Sequence, residues 1–337
     1  MIHPRSMKGA YLSMKRIVCI VLAMMLLLAS AAMAEEISIT TGLATDHPAQ
    51  IMVCQMDNEP PARPQHGIGS ADIVYEIELY NGGHTRYTAV FNDNIPEKIE
   101  AVRSARIVNA DIYTDYNGAF VHFGGQKYEG SSVYDYFGTI NIGKRWDGIG
   151  YDNGSQSSDF YRDHSRKSPN NVICRLKNLH DRTDWDNITC RSPLKFGEYA
   201  VIPYAGEEVK KFSVPYRGSY TPSYVWDESI YRYLRFYNDK PFVDGATDEQ
   251  VKVDNIIVQR MDYSWYSGES DRPKVATTGT NKCDYFMGGK HFTGYWVRDS
   301  ISANTIYYDD NGEEVRFNPG VTFIQIIKTE YDIEILG

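Results

Sequence analysis

Residues 73–91 read IVYEIELYNGGHTRYTAVF, and this stretch decides the fold. Ile73, Tyr75, Ile77 and Leu79 alternate with Val74, Glu76 and Glu78, the period-two pattern of a strand with two unequal faces. Asn81-Gly82-Gly83-His84 is a turn signal, and residues 85–91 resume a run of β-branched and aromatic residues. Together they predict an antiparallel hairpin. Upstream, the apolar run 51–56 predicts another strand, and Pro60-Pro61-Ala62-Arg63-Pro64 a loop, because proline neither donates to a ladder nor continues a helix. Downstream, residues 104–116 predict a helix: Ala105, Val108 and Ile112 recur at helical spacing behind Ser104 as N-cap. Residues 119–123 predict a short buried strand closed by Gly124-Gly125.

Residues 126–170, rich in Gly, Ser, Asn, Asp and Tyr, predict a long irregular surface segment of the kind that often carries function. From about Lys210, short apolar runs alternate with turn signals such as Gly288-Gly289 and Asp310-Asn311-Gly312. The expected fold class is therefore α+β. An N-terminal mixed α/β sandwich-like domain over 35–205 precedes a smaller, mainly antiparallel β domain over 206–337.

Residues 1–34 predict a signal peptide: Lys15 and Arg16, an apolar stretch over 17–29, then Ala32-Met33-Ala34. The stretch is too short to span a bilayer comfortably. Cys19 lies near its beginning and is poorly placed to carry a lipid. The expectation is an extracytoplasmic protein, secreted or envelope-associated, with no stable membrane insertion after cleavage. Removing these residues deletes Arg5, Lys8, Lys15 and Arg16 and no acid, which moves the formal charge from −9 to −13. That balance argues against nucleic acid as a partner. Cys54, Cys174, Cys190 and Cys283 remain, either as buried thiols or as disulfides that sequence alone does not pair.

Within this acidic chain, arginines concentrate in three polar motifs, Thr85-Arg86, Arg103-Ser104-Ala105-Arg106 and Arg162-Asp163-His164-Ser165-Arg166. Guanidinium is a permanently charged planar fork suited to carboxylate and phosphate. Arg103 and Arg106 are expected at a helix start, where cations are unfavourable unless an anion binds. The candidate ligand-binding set is Glu76, Arg86, Arg103, Arg106, His122, Arg162, Asp163, Arg166 and Asn171. The competing reading pairs these arginines with internal acids. No serine-hydrolase elbow, zinc motif, Walker loop or dinucleotide fingerprint occurs, so no catalytic residue and no cofactor is assigned.

The motifs resemble, in order, those of the YerB-like family of extracytoplasmic lipoproteins, a family of unknown function. The resemblance rests on Ala62-Arg-Pro-Gln65, Ala71-Asp-Ile-Val-Tyr-Glu76, Gly82-Gly-His-Thr-Arg86, Val102-Arg-Ser-Ala-Arg106, Val121-His-Phe-Gly-Gly125, Tyr161-Arg-Asp163 and Pro169-Asn-Asn171. Asp254-Asn-Ile-Ile-Val-Gln259 and Gly288-Gly-Lys290 extend it into the C-terminal half. The resemblance implies two linked domains and an envelope location, without a reaction. Asn170 stands where the family pattern implies a histidine. The leading expectation is a non-enzymatic envelope protein that binds an anionic or glycan-like ligand. The alternatives are a hydrolase or transferase acting on cell-wall polymers, with His122, Asp163 or Glu76 as acid or base, and a protein-interaction scaffold.

Overall fold

The computed structural model describes residues 36–47, 49–80, 83–149, 158–197, 206–216, 221–266 and 272–337. The signal-peptide segment 1–34, the hairpin turn at Asn81-Gly82 and the predicted domain boundary at 205 lie outside them. The predicted hairpin forms as β2 (Ile73–Glu78) and β3 (Thr85–Phe91), with Glu76 opposite Tyr87 and Ile77 opposite Arg86. The apolar run before it forms β1 (Met52–Asp57), antiparallel to β3, so that Asp57 faces Arg86 across the ladder. Next come β4 (Ala119–His122) and β5 (Lys144–Asp147), both parallel to β1.

The C-terminal half extends this same sheet. It contributes β6 (Asn255–Met261), β7 (Gly279–Met287), β8 (Lys290–Arg298), β9 (Ile306–Asp309) and β10 (Thr322–Lys328). The order is β9-β8-β7-β6-β10-β2-β3-β1-β4-β5. The join between the halves is the parallel pairing of β10 with β2, Thr322 opposite Ile73 through Ile326 opposite Ile77. Both strands there are buried along their whole length, as expected for parallel strands covered on both faces.

One face of the sheet carries Met56, Val74, Tyr87 and Ala89. A second sheet built from Lys211–Ser213, Pro222–Asp227 and Arg232–Tyr237 packs on it, with Phe212 stacked on Phe286. The other face carries Val53, Tyr75, Ile77 and Val90 beneath helices α1 (Ile107–Tyr113) and α2 (Val133–Phe137). Strand accounts for 41% of the structure and helix for 10%, so the expected α+β class is corrected to mainly β. The helical periodicity over 104–116 produced only a seven-residue helix, because the segment before it pairs with other backbone.

Glu76 and Glu78 do not form a solvated polar face, since both are buried at 0% and 1% exposure. Glu76 pairs with Arg235 at 2.7 Å and Glu78 with Lys328 at 3.1 Å, both cations coming from the C-terminal half. All four described cysteines are free, with Cys54, Cys174 and Cys283 buried.

Candidate anion-binding site

The strap 102–106 creates the site. Val102 N–H donates to Val172 O, Arg103 N–H to the Gln55 carbonyl at the end of β1, and Ala105 N–H to Gly124 O. The strap is thus extended, and the helix starts later than predicted. Arg106, not Ser104, is its N-cap, and the Arg106 N–H donates to Asn109 Oδ1 at 2.8 Å. Arg103 consequently does not sit on a helix terminus. Strap, β1 and β3 instead bring Arg86, Arg103 and Arg106 together at one end of the sheet. There β1, β2, β4 and β10, which run in one direction, reach their carboxyl ends.

Arg86 and Arg106 are 3% and 9% exposed. Arg86 Nη2 donates to Tyr80 Oη at 2.7 Å and Nη1 to the Ser104 carbonyl at 3.2 Å. Arg106 Nη2 donates to the same phenol oxygen at 2.8 Å, and Nη1 to the Ala105 carbonyl at 3.0 Å. Neither guanidinium forms an ion pair with a carboxylate among the described residues, and both Nε–H groups are buried without an acceptor. The acid opposite Arg86, Asp57, is committed to Arg103 at 2.9 Å and to Asn170 Nδ2 at 2.6 Å. The side chain of Asn170, where the family pattern implies a histidine, lies between Asp57 and Glu59.

The electrostatics follow from this arrangement. Burial, reinforced by Arg106, pushes the Arg86 guanidinium down to about 10. Burial also lowers Arg106, partly offset by Tyr80 and deepened by Arg272 and Arg103. Burial alone would raise the Tyr80 phenol, but Arg86 and Arg106 outweigh it and hold the group below the ordinary tyrosine value. Other buried phenols such as Tyr75, Tyr113 and Tyr216 are pushed up. A pH titration of phenolate absorbance, taken as the difference between the protein and Tyr80→Phe, should therefore show one tyrosine ionising below ~10. A difference curve with its midpoint at or above that value would remove the two guanidiniums from Tyr80.

The other predicted residues stand around this cluster with internal partners. Arg162 Nη1 donates to Asn171 Oδ1 at 2.7 Å, and Asn171 Nδ2 donates to the Asp163 carbonyl at 2.7 Å. The Asp163 carboxylate accepts from Ser165 N–H and Oγ–H, which hold it below its ordinary range. Arg166 donates to the Ala62 and Pro64 carbonyls and lies 3.4 Å from Glu100. The 163–171 turn is thus stapled from within, and touches the cluster where Arg103 Nη1 donates to Pro169 O.

His122 is fully buried. Its Nδ1 lies 2.7 Å from the Gly124 carbonyl, Nε2 has no partner among the described residues, and Phe120 and Phe137 flank the ring. Burial, partly offset by Asp147, lowers its pKa and favours the neutral ring. Glu76 lies on the opposite sheet face, against Arg235. Tyr80 and Asp57 were missed in the sequence. The available signal for Tyr80 was its position just before the hairpin turn, with Arg86 just after it.

Comparison with known proteins agrees with this architecture. The chain is 26% identical over 303 residues to the "Putative lipoprotein YerB" of Bacillus subtilis (strain 168), covering 85% of each chain. The crystal structure of YerB protein from Bacillus subtilis superposes with a TM-score of 0.74 at 23% identity, covering 88% of this chain and 99% of that one, and supports the fold alone. Models of the N-terminal and C-terminal domains of DUF3048, a protein of unknown function, match residues 38–189 and 212–324. Two adjoining matches over most of its length, on the motifs that build the sheet and the strap, establish that the chain belongs to the DUF3048 family, with YerB as a relative.

Proposed function

We propose that this is an exported cell-envelope protein that binds an anionic group, free or carried on a glycan, between Arg86 and Arg106. One observation carries the reading. Two buried guanidiniums meet at a single phenol oxygen, and neither is ion-paired to a carboxylate among the described residues. Buried charges are ordinarily paired, and elsewhere in this protein they are, at Arg235 with Glu76 and at Arg260 with Asp284. A like-charged pair left open is costly to the empty protein and favourable to an incoming anion. The carboxyl end of same-direction strands is also where open α/β sheets commonly hold ligands, an argument by analogy.

The export part of the reading is supported by the basic, apolar and small-residue succession over 15–34 and by the lipoprotein name of the relative. Among the described residues, no helix is long and apolar enough to cross a membrane. Binding is favoured over acid–base chemistry because Glu76 and Asp163 are held by Arg235 and Ser165, away from His122.

Titration of the purified protein with sodium sulfate at constant ionic strength tests the reading. Calorimetry should show saturable binding, reduced at least tenfold in Arg106→Ala. A response that never saturates, or that is the same in the variant, would overturn it.

A further inference from the structure

We infer that the group taken by this site is a dianion, a phosphoryl or sulfate-type oxyanion, and not a carboxylate; the inference rests on the binding role proposed above. Charge balance is the first ground. Arg103 is already neutralised by Asp57, so its charge is not available to a ligand. Arg86 and Arg106 remain, two buried cations whose shared partners among the described residues, the Tyr80 phenol and the Ser104 carbonyl, are both neutral. A carboxylate brings one negative charge and would leave the pair net positive in a desolvated place. A phosphoryl group brings about −1.5 to −2 at neutral pH, which closes the balance.

Fork geometry is the second ground. In each arginine the Nε–H and Nη2–H lie along one edge of the guanidinium, the edge used for parallel bidentate recognition. On both residues Nη2 donates to Tyr80 Oη, and the Nε–H beside it is buried without an acceptor among the described residues. The phenol oxygen therefore marks a point within reach of both forks, with two more donors waiting. One oxygen atom cannot satisfy two bidentate edges, and the two oxygens of a carboxylate serve a single edge. A tetrahedral oxyanion presents three or more acceptor oxygens and can meet both edges together. On binding, the Tyr80 hydroxyl gives up its place between the guanidiniums to a ligand oxygen.

Three probes separate the possibilities by calorimetry between pH 5 and pH 8: sulfate, a dianion throughout; methanesulfonate, a monoanion throughout; and methyl phosphate, whose second ionisation falls at about pH 6. Sulfate should bind at least tenfold more tightly than methanesulfonate at every pH. Methyl phosphate affinity should fall about tenfold from pH 8 to pH 5 as the dianion is titrated away. The sulfate series reports any titration of Tyr80 or of the neighbouring Asp57, Arg103 and Arg272, and should stay flat. Equal affinity for sulfate and methanesulfonate, with no pH dependence for methyl phosphate, would overturn the dianion assignment and leave anion binding standing. Failure of all three to bind would overturn both.

Discussion

Arg235→Ala should cost about 3–5 kcal/mol of stability, because it strands the Glu76 carboxylate in the interior without its cation. The site is dry: both side chains are fully buried, on strands from opposite halves of the chain. Arg235 Nη2 donates to Glu76 at 2.7 Å and to Tyr87 Oη at 3.1 Å, and the guanidinium lies 4.0 Å over the Phe242 ring. Burial works against this cation, but the Tyr87 and Tyr224 phenols and the Glu76 carboxylate outweigh it and hold it above its ordinary value. Glu76 also accepts from Asn58 Nδ2 and Thr85 Oγ1, so its position persists when Arg235 is removed. The double change Glu76→Gln with Arg235→Met should recover most of the loss, since replacing a buried pair costs far less than halving it. Urea denaturation measures both, as a shift of midpoint at constant slope. A loss under about 1 kcal/mol in Arg235→Ala would mean that the pair is not what locks the second sheet onto the first.

The hairpin was legible because its determinants are local: alternation over 73–79, the turn residues 81–84 and the β-branched and aromatic run after them. The role of Glu76 was not. Alternation marks a polar face but cannot say whether water or a cation covers it, and the covering residues lie far away in sequence, Arg235 159 positions from Glu76 and Lys328 250 positions from Glu78. The joining of the two halves into one sheet was hidden for the same reason, since β10 and β2 pair in parallel with no turn between them to read. The helix start was displaced because Ser104 is a sound N-cap by composition, while the backbone around it is engaged by Gln55 and Gly124 from other strands. The arginine motifs were visible as candidates, and three of the five do gather. Tertiary contacts decide which are neutralised: Arg103 by Asp57, Arg166 by Glu100, and neither Arg86 nor Arg106 by any described carboxylate.

That difference gives a test of opposite sign to the first. Arg86→Met should abolish anion binding and at the same time make the ligand-free protein more stable, by about 1–2 kcal/mol. A cation whose folded pKa lies below its unfolded value costs free energy wherever the unfolded chain still carries the charge. Arg86 is lowered from 12.5 to about 10, so the cost is present in full at neutral pH and fades only as the pH rises above that lower value. Methionine keeps an unbranched apolar stem of similar reach and removes the charge and its repulsion with Arg106. What is lost is one hydrogen bond to Tyr80 and one to the Ser104 carbonyl, the weaker part of the balance. The binding arm should be large, since each charged hydrogen bond to an anion in a dry site contributes roughly 1.5–3 kcal/mol, or about 10- to 150-fold in affinity. Urea midpoints without anion and sulfate calorimetry on the same preparations read the two arms separately. If Arg86 were only a structural residue, stability would fall in Arg86→Met as it does in Arg235→Ala. A rise in stability together with a loss of binding is the signature of a charge kept for a ligand, because selection for folding alone would have removed it.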